Sequence, residues 1–396
     1  MFPKLIRSLF VIIKIAERCN LNCSYCYYYA EGNSEVYSRP TRMSPAMLSS
    51  VVDFLAADLQ PGAVENLIFV FHGGEPTLAR ADPVREFCSR AREKLAGSVR
   101  HLRFALQTNG LRIPPAWQKL IVDERLHVGV SIDGDRETHD ALRVDHRGRG
   151  SYDRIRASIA GLRQLAEAAD LPPIGVISVM GDAFQGLPTY RHLVETLGFT
   201  QVKFLFPDAS RDTVTLDDAA QRRLASQLCE IFDHWLVHHQ TQIEVELFDQ
   251  AVRRNLAARF IPDVPMRASL GMSLLSDGAV RISDDYMAAA PWFARQGDHS
   301  MVGGSLTQWL GQPQVRELMV ASAALPRGCS GCRHARACGG GEVAHRYSRA
   351  GGFDNPSAYC TALMALHDHI HSRLEEGLLA VDREVSASPR DLRSPA

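Results

Sequence analysis

An alternation of two patterns constrains this chain most. A β-branched apolar run at 8–15 comes first, and strand-like stretches follow at 67–71, 102–107, 127–132, 174–180 and 201–206. Between them lie helical patterns at about 44–59, 82–96, 115–124, 151–169 and 187–197. Strands separated by helices pair in parallel through right-handed crossovers. The expected fold class is α/β, a curled (β/α)6 sheet or partial barrel, with its functional site at the C-terminal strand ends.

The loop after the first strand reads Cys19-Asn20-Leu21-Asn22-Cys23-Ser24-Tyr25-Cys26, with thiols spaced CxxxCxxC. A four-iron cluster normally takes four cysteine ligands. Three close ligands leave one iron bare, and a metal centre lacking one protein ligand is open for chemistry. A partial zinc site or three buried thiols are the plainer readings. Zinc needs a fourth nearby donor, and the first histidine after the loop is His72. All nine cysteines considered, the clustering favours metal binding over disulfides and a cytoplasmic protein. Cys88 and Cys229 stand alone in helical patterns and read as buried, inert thiols.

The spacing, with an aromatic just before the last cysteine, resembles the radical S-adenosylmethionine (SAM) enzymes. The resemblance implies a [4Fe–4S] cluster whose open iron is chelated by SAM, and a 5′-deoxyadenosyl radical that abstracts a substrate hydrogen. Cofactors carry that chemistry, while the protein orients them. Further strings fall at strand ends. His72-Gly73-Gly74-Glu75-Pro76 follows the second strand; glycines permit close backbone approach, and the resemblance assigns Gly73, Gly74 and Glu75 to the SAM amino group. Gln107-Thr108-Asn109-Gly110 follows the third, and by itself is a turn signal. Ser131 is placed to bond a ribose hydroxyl and Arg143 to pair with the SAM carboxylate, although a surface ion pair explains Arg143 as simply. Ser178 is a candidate for the adenine pocket or a plain strand serine. Tyr25, Gln107 and Asn109 complete the expected SAM contacts.

Composition excludes little else. Net charge is −1 over 396 residues, which gives no argument for nucleic acid or membrane binding. No apolar run approaches the roughly 20 residues of a spanning helix. The run Leu9-Phe10-Val11-Ile12-Ile13 leads directly into the cysteine loop and is no cleavable signal. The expected organisation is a barrel core at 1–214, a helical bridge at 215–262, a second domain at 263–382 opening with a hairpin at 274–282, and a disordered tail at 383–396.

Cys329, Cys332, Cys338 and Cys360 form a second set that can close a metal site. Structural zinc is an alternative on spacing alone. The surrounding Cys338-Gly339-Gly340-Gly341-Glu342, His345-Arg346-Tyr347 and Phe353-Asp354-Asn355-Pro356-Ser357 resemble the SPASM domain of peptide-modifying radical SAM enzymes, which usually carries two auxiliary clusters. Here Glu342 and Ser283 stand where that pattern has cysteines, and no thiol lies near Leu270 or Gly271. The resemblance therefore implies one auxiliary [4Fe–4S] cluster, fully ligated, serving structure or electron transfer. Ser283-Asp284-Asp285 resembles a Cys-Asp pair of the anaerobic sulfatase-maturating enzymes. That nominates Asp284 as general base, with Asp285 behind it; solvated hairpin carboxylates are the plainer reading.

The His345-Arg346-Tyr347-Ser348 string and its sequel resemble the cyclophane-forming maturases of ribosomal peptides. The function this implies is a C–C crosslink between an aromatic ring and a nearby β-carbon of a precursor peptide. Serine or cysteine oxidation, thioether formation, epimerisation, or a non-catalytic electron-transfer scaffold are the alternatives. Expected partners are the precursor peptide and a reductant such as flavodoxin or ferredoxin. Only 18 residues precede Cys19, too few for a winged-helix leader-binding domain, so leader recognition falls to the bridge, the second domain or a separate leader-binding protein.

Overall fold

A computed structural model describes residues 6–29, 35–261 and 268–387. Its main sheet is built from β1 (Ile6–Ala16), β3 (Val64–Gly73), β4 (Val99–Thr108), β5 (His127–Ser131), β7 (Gly175–Val179), β8 (Gln201–Leu205), β9 (Glu244–Val245), β10 (Ala268–Leu274) and β11 (Val280–Ile282). Two short strands, β2 (Leu21–Cys23) and β6 (Arg143–Asp145), pair separately. The order across the main sheet is β11-β10-β1-β3-β4-β5-β7-β8-β9, parallel throughout except for the β10/β11 hairpin. This is the expected partial barrel.

Period-two alternation gives each strand two faces. On β1, Leu9, Val11, Ile13 and Ile15 are at most 2 % exposed and pack against the helices, while Phe10 and Ile12 take the opposite face and see solvent. Phe69 and Phe71 of β3 do the same as Leu9 and meet Phe87 edge-on from the helix Ala81–Leu95. Full burial of each such ring contributes about 1.5–3 kcal/mol. The lumen side receives Lys14, His72, Gln107, Ser131 and Lys203, all on the other parity. Helix starts follow local rules: Ser44 caps Pro45–Ala56 by accepting from the Met47 N–H at 3.1 Å, and Asp217 caps Asp218–His238 through Ala220 at 2.7 Å.

Three expectations on organisation change. The hairpin at 274–282 exists, but it does not open a separate body: β10 lies parallel beside β1, with Ile13 opposite Leu274, so the sheet runs through the proposed boundary at 263. The proposed disordered tail begins inside a helix, Cys360–Ala387; residues 388–396 lie outside the described residues. The helix expected at 187–197 starts as Leu187–Arg191 and ends in a π-helical turn, His192–Thr196. Of the two lone cysteines, Cys88 is fully buried but Cys229 is only partly so. Among the described residues, no helix is long and apolar enough to cross a membrane.

Gly73 and Gly74 show why the second strand ends as it does. Gly73 has φ +145°, and a Cβ there would lie 2.0 Å from the Ala16 carbonyl oxygen. A Cβ on Gly74 would meet the Arg18 backbone at 2.5 Å. The backbone these glycines let approach is the chain's own: Gly74 N–H donates to Ala16 O at 2.8 Å and Glu75 N–H to Arg18 O at 2.9 Å. Gly74→Ala is expected to destabilise the fold by about 3 kcal/mol, the upper end of overpacking costs, read as a lowered chemical-denaturation midpoint of the anaerobically purified protein.

Candidate active site

The mouth of the lumen is assembled from loops that follow β1, β3, β4 and β5. Glu75, 1 % exposed, is their meeting point. Its carboxylate accepts from Thr77 N–H (3.0 Å) and Oγ1 (2.6 Å), Thr108 Oγ1 (2.8 Å) and Asn109 N–H (2.8 Å). Burial pushes this carboxyl up, against those four donors. Asn109, so held, donates its amide to Asn20 Oδ1 at 2.8 Å and to Cys19 Sγ at 3.5 Å. The Leu21 N–H also points at Cys19 Sγ, at 3.4 Å.

A second node lies on the other side of the loop. Asp133, 3 % exposed, accepts from Arg143 Nε at 2.7 Å, from the Tyr25 hydroxyl, and from Val179 N–H at 3.1 Å. Burial opposes its charge, but Arg143 and these donors hold the Asp133 carboxyl below the usual range. Arg143 sits opposite Cys23 in the β2/β6 pair and over the Tyr25 ring at 5.3 Å. It is therefore neither a surface ion pair nor a free guanidinium. Its Nε is committed to Asp133, which follows Ser131 in the string Ser131-Ile132-Asp133-Gly134 but carried no assigned role there. Gln107 Nε2 donates to Ser131 Oγ at 3.0 Å, on the lumen face. Ser178 is a correction. It shares the parity of the buried Val176, is 0 % exposed, and its hydroxyl has no partner; Ile177 and Val179 hold the lumen positions of that strand. It does not line the site.

The cysteines can be tested against the groups their spacing implies. Burial pushes the Cys19 thiol up to about 12 and also raises Cys23, so a metal would have to displace their protons. Two N–H groups already aim at Cys19 sulfur, the arrangement a thiolate ligand wants. In the second set, Cys329, Cys332, Cys338 and Cys360 line one small cavity together with His334 and His367. Gly339, Gly340 and Gly341 follow Cys338 with φ of 65°, 87° and 75°; burial raises the Cys338 thiol, and the N–H groups of Gly340 and Gly341 offset part of that rise. Successive N–H groups in such a turn form an anion cradle. Arg346, 4 % exposed, ties that turn from behind through the Gly339 and Gly341 carbonyls at 2.8 and 2.7 Å. Both sets fit cluster ligation.

Deeper in the lumen, Lys14 is 0 % exposed and forms a buried ion pair with Asp284. Its ammonium also lies 4.2 Å from the Tyr28 ring centre and 3.5 Å from His72 Nδ1. Burial, then Lys14, drive the His72 imidazole down to about 3, so it is neutral. Asp284 is thus no solvated hairpin carboxylate. Asp285 is different: its surface is accessible within the lumen, it accepts from Ser283 Oγ at 3.0 Å, and enclosure by the lumen wall, then Asp284 and Glu342, raise its carboxyl. Asp208 and Glu342 complete this acidic wall. Enclosure, then Asp285, Glu342 and Asp284, push Asp208 up to about 7. Glu17, also missed by sequence, accepts from Ser276 N–H at 3.0 Å and from the Tyr28 hydroxyl, tying the cysteine loop to the hairpin.

The fold and site together define a parallel partial barrel whose mouth holds a three-cysteine loop, followed by a cysteine-bearing C-terminal region. Residues 13–174 match the model of the Radical SAM superfamily. A cysteine-type anaerobic sulfatase-maturating enzyme from Clostridium novyi is 34 % identical over 154 residues, 39 % of this chain and 40 % of that protein. A serine-type anaerobic sulfatase-maturating enzyme from Bacteroides thetaiotaomicron is 25 % identical over 264 residues, 62 % of each. The chain's alignment with these curated relatives thus spans less than two thirds of their length. Among solved structures, native anSMEcpe with bound AdoMet superposes with a TM-score of 0.75 at 19 % identity, over 94 % of this chain and 100 % of that one. Streptococcus suis SuiB bound to precursor peptide SuiA gives 0.59 at 13 % identity, over 89 % and 76 %.

Two outcomes test the electrostatics of the lumen. Lys14→Met is expected to cost about 3–5 kcal/mol by leaving a buried carboxylate unpaired, and adding Asp284→Leu should recover most of that loss in denaturant titrations. An unfolded aspartate titrates near about 3.9. Between pH ~4 and 7 the folded chain therefore keeps a proton on Asp208 that the unfolded chain has released, so this group favours folding at low pH and disfavours it as pH rises through about 7. Asp208→Asn should raise the melting temperature relative to wild type at pH 8 and leave it unchanged at pH 4.

Proposed function

We propose that this chain is a radical SAM enzyme that oxidises a side chain of a peptide or protein substrate, in the manner the names of its sulfatase-maturating relatives describe. The observation that carries this reading is the juxtaposition, around one lumen, of a three-thiol loop and a buried, lysine-held carboxylate. Cys19, Cys23 and Cys26 would hold a [4Fe–4S] cluster with one iron free for SAM. Gly73, Gly74, Gln107, Asn109, Ser131 and Arg143 at the strand ends, and Tyr25 within the loop, would hold SAM, with the Glu75 carboxylate, engaged by internal donors, fixing their placement. Cys329, Cys332, Cys338 and Cys360 would hold an auxiliary cluster. When bound, these groups supply hydrogen-atom abstraction from the substrate and acceptance of a second electron.

The chain's own residues do the rest. Oxidising a serine CH2–OH to an aldehyde removes one hydrogen atom from carbon, one proton from oxygen and one electron. Asp284 is the base for that proton, and Lys14 is a positioning residue that holds its carboxylate in place. Neutral His72 lines the same pocket without adding charge. The tyrosines Tyr27 and Tyr28 wall the pocket from bulk water around the Lys14 ammonium. The substrate peptide, an external flavodoxin or ferredoxin and a separate leader-binding protein are the partners this reading calls for.

The second reading is the crosslink of an aromatic ring to a β-carbon. What favours it is the carboxylate wall of Asp208, Asp285 and Glu342, several bases where a ring proton would have to be taken. The sulfatase-maturating relatives support side-chain oxidation more strongly.

Reconstituted protein with SAM and dithionite should yield 5′-deoxyadenosine; none formed would overturn both readings. With peptides bearing a single serine, oxidation gives a product two hydrogens lighter that reacts with a hydrazide. The same mass loss without a carbonyl, joining two residues in tandem mass spectra, would favour the crosslink. Asp284→Asn should keep 5′-deoxyadenosine formation while product falls by about 10²-fold or more, the range for losing a general base.

A further inference from the structure

Away from the lumen, the turn His192–Thr196 and the end of the helix Asp218–His238 bring together a donor set that the proposed reaction does not use. One ligand atom each from Glu195, His234 and His239 lies within 4.8 Å of the other two. Among the described residues this is the one trio of His, Cys, Asp or Glu groups that close. We propose that Glu195, His234 and His239 form a binding site for a divalent cation of the zinc class, clasping the barrel's crossover turn to the bridging helix.

The chemistry of the donors sets the class. Two imidazoles and a carboxylate, with a fourth position for water, suit Zn²⁺. Glu195 sits in a π-helical turn, a feature frequent at functional sites. His239 is already oriented: its Nδ1 lies 2.9 Å from the hydroxyl of Tyr190, which is 0 % exposed. With Nδ1 engaged by that hydroxyl, Nε2 is the nitrogen left for a metal.

His234 is held differently. Its Nε2 lies 3.2 Å from Glu195 Oε1, while an Arg191 guanidinium nitrogen lies 3.4 Å from its Nδ1. Arg191 Nε is also 3.6 Å from Glu195 Oε1. In this arrangement Arg191 donates to Nδ1, and the ring hydrogen sits on Nε2 facing Glu195. Metal binding requires that hydrogen on Nδ1 and Arg191 swung aside, which its half-exposed side chain allows. Arg191 is therefore a built-in competitor for the cation. His238, whose ring centre lies 4.6 Å from that of His234, is exposed and adjacent.

The test uses the anaerobic, iron-loaded protein, stripped of loose metal and dialysed against ⁶⁵Zn²⁺ at pH 7.5, with iron content and visible absorbance monitored. Wild type should retain one zinc per chain in addition to its iron. Occupancy should fall at pH 5.5, as imidazoles protonate. His234→Ala and His239→Ala should each weaken binding by more than the about 10–100-fold typical of outer-shell changes. Arg191→Met should strengthen it, a result that does not depend on the histidine variants folding. No retained zinc at tens of micromolar, or equal retention by the His234→Ala/His239→Ala double variant, would overturn the site. SAM cleavage is not the readout, so failure here leaves the proposed function standing.

Discussion

The geometry of the mouth hangs on the Glu75 carboxylate. It is buried, and a buried charge is tolerated only where donors surround it. Four donors from two loops do so, and that demand fixes where those loops go. Thr108 and Asn109 are drawn to it from the end of β4, and Asn109 in turn reaches the first cysteine. The twin glycines before Glu75 let it reach this position by removing the side chains that would hold β3 away from β1. The order of cause runs from a burial penalty to a hydrogen-bond knot to the placement of a sulfur atom.

The Asp133–Arg143 pair does the same for the opposite flank, and Lys14–Asp284 for the floor. Each is an ion pair taken out of water, where attraction is strong and a missing partner costly. Each joins segments distant in sequence. Such pairs contribute modestly to net stability, but they limit the conformations a loop can adopt. The outer part of the lumen behaves differently. Around Asp208, Asp285 and Glu342 enclosure raises all three carboxyls; neighbouring carboxylates add to this at Asp208 and Asp285, and Lys203 opposes it at Asp285 and Glu342.

Much of this was legible in the chain itself. The alternation of β-branched runs and helical periodicity marks β1, β3, β4, β5, β7 and β8, because a strand with one face packed under helices leaves a local signature; the two-residue β9 and the pairing of β10 with β1 left none. The cysteine spacings are equally local. Ser178 was misplaced because periodicity identifies a strand without saying which parity faces the lumen; register against β5 and β8 decides that. Lys14, Glu17 and Asp133 were missed because a single charged residue in or beside an apolar run has no meaning until its partner, up to 270 positions away for Lys14 and Asp284, is brought to it. Arg143 was found, but its partner was not.

The seam between β1 and β10 bears on how a large substrate could enter. Seven residues of one strand face seven of the other through a parallel ladder. The C-terminal cysteine domain is therefore not hinged on the barrel but joined to it along a continuous sheet, as one plank of a hull is to the next. Parting the two would break a row of backbone hydrogen bonds and turn β1, now between β10 and β3, into an uncovered edge. On that side the lumen wall is thus a hydrogen-bonded seam, and any change in its width has to come from the loops at the strand ends rather than from a swing of the C-terminal part.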